Sequence, residues 1–389
     1  MASQGVVAAT ARPSLDTPGQ GSVDHPLKAK TYNRIKLIAA IASSVVSFVV
    51  ILALVAAGVT RTLEWWARST VPNRYGALLL FALALGIVQM LVTLPIGFYS
   101  SYSIEHRYRL SNQSLRQWAW ERLKGALVSL PLVVGVLVVL YFCLEHYGGW
   151  WWLPVSGVLI LLSVLLARLA PVLIFPLFYK FTPLESDSLT NRIVRLCANT
   201  GLRIEGIFSF NLSKNTKKAN AGFTGIGRAK RIILSDTLIK DFTEEEIETV
   251  FAHELGHYRH KHLLIGIFTG TVSTVAGLFL TALLYEWSLG LFGFSDGSGL
   301  AALPLLALWL SLFGAVTAPL GNMLSRHHER VADAYAVKVT GKSAAFASAL
   351  HKLAAINVAD PNPHPFVEFL FYSHPSISKR IRRVESLGA

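Results

Sequence analysis

Long uncharged apolar runs alternate with polar segments along this chain. Six of the runs are long enough to cross a bilayer core of about 30 Å, which takes about 20 helical residues. They cover residues 37–60, 75–103, 125–144, 147–167, 263–285 and 297–325. The pattern therefore predicts six membrane-spanning helices. The fourth run continues to residue 179, and Pro171 and Pro176 in this extension favour a kink or a shallow exit over another crossing.

Two polar segments, 180–262 and 326–389, interrupt the apolar pattern. Because both follow membrane spans on the same predicted side, they are expected to meet as one domain outside the bilayer. Within the first, the periodicity predicts a helix over 187–200 and strands over 204–210 and 231–235.

The next predicted helix has a well-marked beginning. Thr243 and Glu246 form a capping box, and Phe242 with Ile247 supplies a hydrophobic staple. We expect this helix to run over 244–262 and on into the fifth span.

Composition supports the membrane assignment. The 389 residues are 52% hydrophobic and 15% charged, with a mean hydropathy of +0.47, which is too apolar for an ordinary soluble protein. Lys and Arg total 36 and Asp and Glu 23, so the net charge is +13. In a membrane protein this excess belongs on cytoplasmic loops facing anionic headgroups, so no nucleic-acid partner is expected.

The positions of the basic residues predict the orientation. They concentrate before the first and third spans and after the fourth and sixth, so these segments and both termini are expected on the cytoplasmic side. The turn at Glu145 and the loop 286–296 contain no Lys or Arg, as expected of the opposite side. The loop 61–74 holds three Arg and departs from the rule locally.

Cysteine ligands are excluded at any metal site. The two cysteines, Cys143 and Cys197, lie far apart in the sequence, so neither a disulfide framework nor a cysteine zinc site is available. A metal would have to use histidine and carboxylate ligands.

The capped helix carries an H-E-x-x-H motif, with His253, Glu254 and His257 as its defining residues. The spacing puts both imidazoles on one helix face about one turn apart, which suits a single tetrahedral zinc ion, and Glu254 stands beside it to deprotonate the zinc-bound water. The motif is short, and a helix with surface histidines is the alternative interpretation, since His260 and His262 follow directly.

A zinc protease of this kind needs a third protein ligand. The H-E-x-x-H-x-x-G-x-x-H extension is excluded, because His260 and Leu263 stand where it requires glycine and histidine. A glutamate from a later helix remains. Glu329 and Asp333 have i and i+4 spacing on a predicted helix over 326–341, which ends on glycine.

Glu329 is therefore the candidate third ligand, and Asp333 would accept the remaining ring N–H of a ligating histidine. An ordinary surface carboxylate is the alternative for Asp333. His327 and His328 are rival ligands, but each is rotated by about 100° or more from Glu329 around the helix.

Together with Ser325-Arg326-x-x-Glu329-x-x-x-Asp333, the H-E-x-x-H motif resembles the integral-membrane zinc metalloproteases of the type I CAAX prenyl protease family. The stretches 104–112, 176–184 and 218–223 are also similar to segments of that family. The similarity runs from about Tyr75 to Leu387, which distinguishes this family from the smaller heat-shock-type membrane proteases with the same zinc motif.

The resemblance implies roles for individual residues at the metal. His253, His257 and Glu329 would bind one Zn²⁺ per chain, and Glu254 would act as general base.

It also implies residues that contact the substrate. Asn220 and Ala221 would lie on an edge strand that pairs with an extended peptide by β-augmentation. Without the resemblance, Asn220 is better interpreted as a turn residue before Gly222.

A C-terminal stretch, 373–380, is similar to another family segment, which implies that His374 and Arg380 approach the active site. They could donate hydrogen bonds to an oxyanion or bind the carboxylate of the substrate. The alternative from sequence alone is a basic helix on a membrane surface, formed by Arg380, Arg382 and Arg383.

The predicted fold class is mainly α: a polytopic membrane helical bundle of about six spans with a cytoplasmic zincin-like α+β catalytic domain. Eukaryotic family members resemble seven-span proteins that enclose a chamber, so one N-terminal span is missing here and closure of the chamber is left open. The predicted segments are a flexible N-terminal tail (1–36), transmembrane helices 1–4 (37–179) with a cytoplasmic loop (104–124), a catalytic segment with the zinc-binding helix (180–262), transmembrane helices 5–6 (263–325) and a second catalytic segment (326–389).

The functional hypothesis is an integral-membrane zinc metalloendopeptidase. By resemblance, its substrate is a prenylated C-a-a-X tail of a peptide or protein, cut after the modified cysteine. A general membrane-protein quality-control protease with the same mechanism is the alternative, and a non-catalytic membrane chaperone or scaffold is the second. The expected partners are this substrate and membrane lipid. The expected location is a plasma, inner or endoplasmic reticulum membrane, with the active site on the cytoplasmic side.

Overall fold

A computed structural model describes residues 21–198, 203–224 and 229–389. The helices of these residues are α1 (Gly21–Ala56), α2 (Val59–Thr70), α3 (Arg74–Phe98), α4 (Ile104–Arg107), α5 (Leu115–Tyr147), α6 (Trp152–Leu169), α7 (Phe175–Phe178), α8 (Asp187–Ala198), α9 (Asp236–Asp241), α10 (Glu244–Arg259), α11 (His262–Leu291), α12 (Leu303–Thr340), α13 (Ser343–Ile356), α14 (Pro365–Phe371) and α15 (Ile377–Gly388). The strands are β1 (Phe181–Pro183), β2 (Arg203–Phe210), β3 (Ala221–Thr224) and β4 (Ala229–Ser235).

Six helical stretches of the described residues are long and apolar enough to cross a membrane, which confirms the predicted number. They are Leu27–Ala56, Arg74–Arg107, Leu115–Trp150, Trp152–Phe178, His262–Leu291 and Leu300–Thr340. The fourth stretch continues beyond α6 through a π-helical segment, Ala170–Ile174. Pro171 lies in this segment, so the proline-containing extension belongs to the same helix and makes no separate crossing.

The N-terminal tail is shorter than predicted. α1 begins at Gly21, so the expectation of a flexible tail over 1–36 is wrong for residues 21–36, and residues 1–20 lie outside the described part. Polar contacts hold this extension: the Tyr32 hydroxyl donates to Glu105 at 2.7 Å, and Lys36 pairs with the same carboxylate at 2.9 Å. These partners lie far along the chain, which is why the local pattern did not reveal them.

The two polar segments form one domain around a small sheet, as expected. The strand order is β1-β2-β4-β3, with β2 and β4 parallel and the outer pairs antiparallel. β2 and β4 agree with the two strands that the pattern predicted, whereas β1 was not predicted. The predicted helix over 187–200 is α8, whose last two predicted residues lie outside the described part. One buried core joins the sheet to α8, α10 and α13 through Ile193, Leu234, Phe251, Leu255 and Ala349.

A short break separates the helix of the zinc motif from the fifth span. α10 ends at Arg259 and α11 begins at His262, so the prediction of one continuous helix is wrong. Lys261 between them adopts a left-handed backbone with φ 56°. Neither glycine nor proline stands at this position to signal the break.

The three arginines that depart from the charge rule lie at the end of the bundle opposite the sheet, and all three have partners there. Most of the predicted loop 61–74 is the helix α2. Its Arg61 donates to the carbonyl of Gly293 at 2.9 Å, Arg68 pairs with Glu64 at 2.8 Å, and Arg74 pairs with Glu145 at 3.2 Å. All three arginines are thus bound to other parts of this end of the protein.

Candidate zinc site and active-site cavity

Two imidazoles on α10 face each other one turn apart. His253 is 7% exposed, and its Nε2 lies 3.2 Å from Nε2 of His257. The predicted capping box fixes the beginning of this helix, because Thr243 accepts from the Glu246 amide and Glu246 accepts from the Thr243 amide. The H-E-x-x-H motif therefore lies on a regular, well-capped helix.

α12 brings a carboxylate to these imidazoles. Glu329 Oε1 lies 3.3 Å from His257 Nε2, and Glu329 Oε2 lies 3.5 Å from His253 Nε2. The helices approach this closely because Gly256 lacks a side chain: a Cβ there would lie 2.9 Å from the Cα of Ala332. The structure therefore brings together the three residues predicted as metal ligands.

Both histidines have a partner at the opposite ring nitrogen. His253 Nδ1 lies 2.8 Å from Asp333, whose carboxylate is fully buried. His257 Nδ1 lies 2.9 Å from Nδ1 of His262, the first residue of α11. His262 was not predicted as part of the site, because in the sequence it is only one of several histidines that follow the motif. Its i+5 position is no helical neighbour of His257, so only the break at Lys261 explains the contact.

This donor set fits a zinc ion. With both Nδ1 atoms engaged, the two Nε2 atoms can present their lone pairs to a cation that Glu329 also binds. Glu329 Oε2 is buried and accepts no hydrogen bond from the described residues, although His253 and Arg380 lie within ion-pair distance. The ligand atoms all lie within 4.8 Å of one another. Two imidazoles and one carboxylate that leave a fourth position open are the donors of catalytic zinc.

Glu254 lies beside this group and lines the same cavity. Burial raises the pKa of its carboxyl above the ordinary value, although the neighbouring imidazoles oppose the shift. A carboxylate of raised pKa can both accept and return a proton near neutral pH.

The C-terminal stretch also reaches the site. His374 Nε2 lies 3.4 Å from Glu329 Oε1. Arg380 contacts Glu329 at 3.3 Å and makes a bidentate ion pair with Asp333, in which two guanidinium nitrogens donate to the two carboxylate oxygens at 2.6 and 3.0 Å. The structure thus brings His374 and Arg380 to the metal ligands, and Arg380 is already bound by two carboxylates.

The predicted edge strand borders the site. β3 is the outermost strand of the sheet, and Asn220 and Ala221 line the cavity that contains Glu254. Asn220 pairs with Ser235 through both main-chain groups, donating to its hydroxyl at 3.0 Å and accepting from its amide at 2.9 Å. The main-chain groups of Ala221 therefore face the free edge, where its amide donates to the Asn220 side chain at 2.9 Å.

The cavity has a volume of about 420 Å³. Its lining combines polar side chains, among them His253, Glu254 and Glu329, with apolar ones, among them Val250, Phe346, Leu350 and Leu353.

The rival ligands lie elsewhere. His328 stacks on His262 with ring centroids 4.0 Å apart, and His327 is exposed. Neither belongs to the group of three ligand atoms found among the described residues.

Comparison with known proteins agrees with this geometry. Residues 183–387 match the model of peptidase family M48, and residues 20–180 match the model described as CAAX prenyl protease N-terminal, five membrane helices. Four of the six candidate spans lie within the second match.

Individual relatives cover most of the chain. It is 31% identical over 336 residues to an uncharacterized metalloprotease of Bacillus subtilis, YhfN, across 85% of this chain and 79% of that protein. It is 29% identical over 324 residues to CAAX prenyl protease 1 of Saccharomyces cerevisiae, across 77% of this chain and 70% of that protein. The crystal structure of S. mikatae Ste24p matches with a TM-score of 0.83 and 25% identity, and covers 93% of this chain and 89% of that one.

Proposed function

Because the chain belongs to peptidase family M48, with the membrane domain of the CAAX prenyl proteases before the peptidase region, we propose that it is a zinc endopeptidase that cleaves prenylated C-a-a-X tails. The observation that carries this proposal is the convergence of His253, His257 and Glu329 beside Glu254, in a cavity bordered by an edge strand.

The three converging side chains would hold the zinc ion. When bound, zinc supplies a Lewis acid that polarises the scissile carbonyl and lowers the pKa of water. Asp333 and His262 would keep both imidazoles turned with Nε2 toward the ion, because their contacts at Nδ1 fix the tautomer and the ring orientation.

Glu254 would move the proton in this reaction. It accepts a proton from the attacking water and later delivers it to the leaving amine. Burial brings its pKa closer to neutrality, so the free-energy difference between its two protonation states is smaller than for an exposed glutamate.

His374 would act on the scissile carbonyl, and Arg380 would position two carboxylates of the site. His374 can donate a hydrogen bond to the developing oxyanion, because its Nε2 points toward the carboxylate of Glu329. The largely buried Arg380 would hold Asp333 and Glu329 in place.

The edge strand would hold the peptide. An extended substrate can pair with the outward main-chain groups of Ala221, and Asn220 would release the Ala221 amide for this purpose. The apolar side chains that line the cavity suit the aliphatic residues of a C-a-a-X tail. Relatives in yeast and plants named CAAX prenyl protease 1 support the same substrate class.

The site would face the cytoplasm. The basic residues in the first part of α1 and just before α5 lie on the same side of the bundle as the sheet, since Lys36 pairs with Glu105 and Ser111 bridges to Thr216. The three arginines of the opposite end are bound internally.

The test compares a farnesylated C-a-a-X peptide with its unprenylated twin. Both are offered to the detergent-purified full chain and to its Glu254→Gln variant, and the cleaved bond is identified by mass spectrometry. We expect cleavage after the modified cysteine by the wild type, with a strong preference for the farnesylated peptide, and no cleavage by the variant.

Two other results would overturn the proposal. Equal cleavage of both peptides would assign the protein to quality control, as the resemblance to an uncharacterized metalloprotease allows. Stoichiometric zinc without cleavage of either peptide would favour a scaffold.

A further inference from the structure

A second cavity lies between α12, α14 and α15, behind the metal ligands. Its volume is about 230 Å³, and it shares Pro375 and Arg380 with the lining of the active-site cavity. Five of its lining side chains are cationic, and two, Asp333 and Glu368, are carboxylates, so the lining carries an excess of positive charge. The cations are Arg326, Arg330, Lys379, Arg380 and Arg383.

Three of these cations have partners within the protein. Arg380 pairs with Asp333 at 2.6 Å, and Lys379 pairs with Glu368 at 2.8 Å. The buried Arg326 donates to the main-chain carbonyl of Tyr372 at 2.6 Å and so fixes the end of α14.

The other two cations are not neutralised. Arg330 and Arg383 are exposed and have no carboxylate within ion-pair distance among the residues that the structure describes. They come from different helices, α12 and α15, and line the same cavity. Such a convergence of guanidinium groups suits a phosphate, which accepts two parallel N–H bonds from each arginine.

The cavity lies at the level of the bilayer surface. α12 leaves its apolar run at Ser325, and the preceding part, 303–325, is about 34 Å long at about 1.5 Å per residue, slightly more than the hydrocarbon core of about 30 Å. Asn322, in the last turn of this run, donates to the carbonyl of Leu370 at 2.7 Å. α14 is thereby attached at the boundary between hydrocarbon and headgroups.

α14 also exposes aromatic rings at this level. Phe366 is 63% exposed and Phe369 44%, at i and i+3 on one face, whereas Glu368 on the other face is buried. Outside a membrane these rings would be an unpartnered apolar surface, and at the bilayer boundary they are placed to insert among acyl chains.

We propose that this cavity binds the phosphate of an anionic phospholipid, with Arg330 and Arg383 as its ligands and with α14 inserted beside it in the acyl-chain region. The ligand is a membrane lipid because α14, which lines the cavity through Glu368, exposes its phenylalanines at the level where acyl chains begin. The bound lipid would hold α15, and with it Arg380, against α12 at the rear of the active site.

Native mass spectrometry of the detergent-purified full chain in an equal mixture of phosphatidylglycerol and phosphatidylcholine tests the assignment. We expect the wild type to retain phosphatidylglycerol preferentially and the Arg330→Gln/Arg383→Gln variant to lose this preference about tenfold. The matched control is Arg382→Gln, an exposed arginine of the same helix outside the cavity, which should keep the preference. Equal retention by the double variant and the wild type would overturn the proposal.

Two further experiments separate a lipid ligand from free phosphate and test the insertion of α14 independently. If inorganic phosphate raises the unfolding midpoint through the same two arginines while phosphatidylglycerol shows no preference, the site takes free phosphate and the lipid assignment is wrong. Should the double variant unfold, a nitroxide attached to a Phe366→Cys variant gives an independent answer. It should be accessible to oxygen and shielded from a nickel chelate, with an Arg382→Cys variant showing the reverse, and nickel accessibility at both positions would refute insertion.

Discussion

At the residue scale, the two ligating histidines differ in what holds them. Asp333 accepts from His253, as in many zinc sites, but His257 depends on another neutral imidazole, that of His262. His262 in turn stacks on His328 of α12, with the rings 7° from parallel. The orientation of His257 is therefore tied to the beginning of a membrane helix.

Replacing His262 should weaken zinc binding. His262→Phe removes the acceptor for His257 Nδ1–H, so we expect a 10–100-fold loss of zinc affinity in chelator competition. His262→Asn, whose side-chain oxygen can accept the same bond, should restore most of it. The control is His351→Ala, an exposed histidine of α13. A His262→Phe variant that binds zinc within about twofold of the wild type would show that the imidazole pair plays no part in metal binding.

At the scale of elements, the site depends on how closely α10 approaches α12. Gly256 lies against the backbone of Ala332, which is fully buried, and this contact places Glu329 opposite the imidazoles. The glycine falls at an unspecified position of the H-E-x-x-H motif, but here its missing side chain is a packing requirement.

Gly256→Ala should separate the two helices. Alanine favours the helix by about 1 kcal/mol, but its Cβ would press on backbone that cannot move aside, so we expect a net loss of about 1–3 kcal/mol of stability. Thermal unfolding and zinc content in detergent measure the effect. Gly266→Ala in α11 is the matched control, because nothing lies within 4 Å of a Cβ there, and it should be neutral or stabilising. Equal midpoints in the two variants would contradict the close-packing explanation.

The capping box of α10 also links two elements. Glu246 accepts from the Thr243 amide and pairs with Lys352 of α13 at 2.7 Å. Burial alone would raise its pKa, but the hydrogen bonds from Lys352, Ser348 and Thr243 outweigh it, and the net direction is downward.

Glu246→Gln should therefore destabilise the fold in a pH-dependent way. A carboxyl group whose pKa is lowered by folding contributes its full stabilisation at pH values above its pKa in the unfolded chain. This stabilisation is lost as the pH falls through the pKa of the same group in the folded protein. We expect a loss of about 1–3 kcal/mol at pH 7 that shrinks below about pH 4. The exposed Glu245 provides the control, since Glu245→Gln should change the unfolding midpoint much less. A loss that is constant with pH would rule out the ionised pair as its source.

Sequence patterns predicted the helices and strands better than the breaks and contacts between them. The six spans, the capped beginning of α10 and the glycine end of α12 each have a local signal, and the structure has all of them. The break at Lys261 has neither glycine nor proline to signal it, and the helical residues 21–36 are held by contacts with distant parts of the chain, so no local pattern could show either feature. The i and i+4 spacing from Glu329 is a local signal for Asp333. His262 has no such signal, because it reaches His257 only through the break at Lys261.

At the scale of the whole molecule, the two ends of the bundle differ in whether their arginines have partners within the protein. At the end opposite the sheet, Arg61 bonds to a carbonyl, and Arg68 and Arg74 pair with glutamates. At the sheet end, exposed arginines such as Arg330, Arg382 and Arg383 have no such pairs among the described residues. The positive-inside rule therefore favours a cytoplasmic sheet.

Cysteine labelling should show this orientation. The native Cys143 and Cys197 are buried, so a Ser295→Cys or a Ser386→Cys variant gives a distinct exposed thiol. In intact cells, a membrane-impermeant maleimide should label position 295 directly and position 386 only after permeabilisation. The opposite pattern would place the active site outside the cytoplasm.

The most direct test of the account is zinc content and peptide cleavage measured together in the wild type, Glu254→Gln and Glu329→Gln. We predict one zinc per chain in the wild type and in Glu254→Gln, with cleavage reduced at least 100-fold in the latter, and loss of both zinc and cleavage in Glu329→Gln. Wild-type cleavage by Glu254→Gln, or full zinc and activity in Glu329→Gln, would show that these residues do not form the catalytic centre.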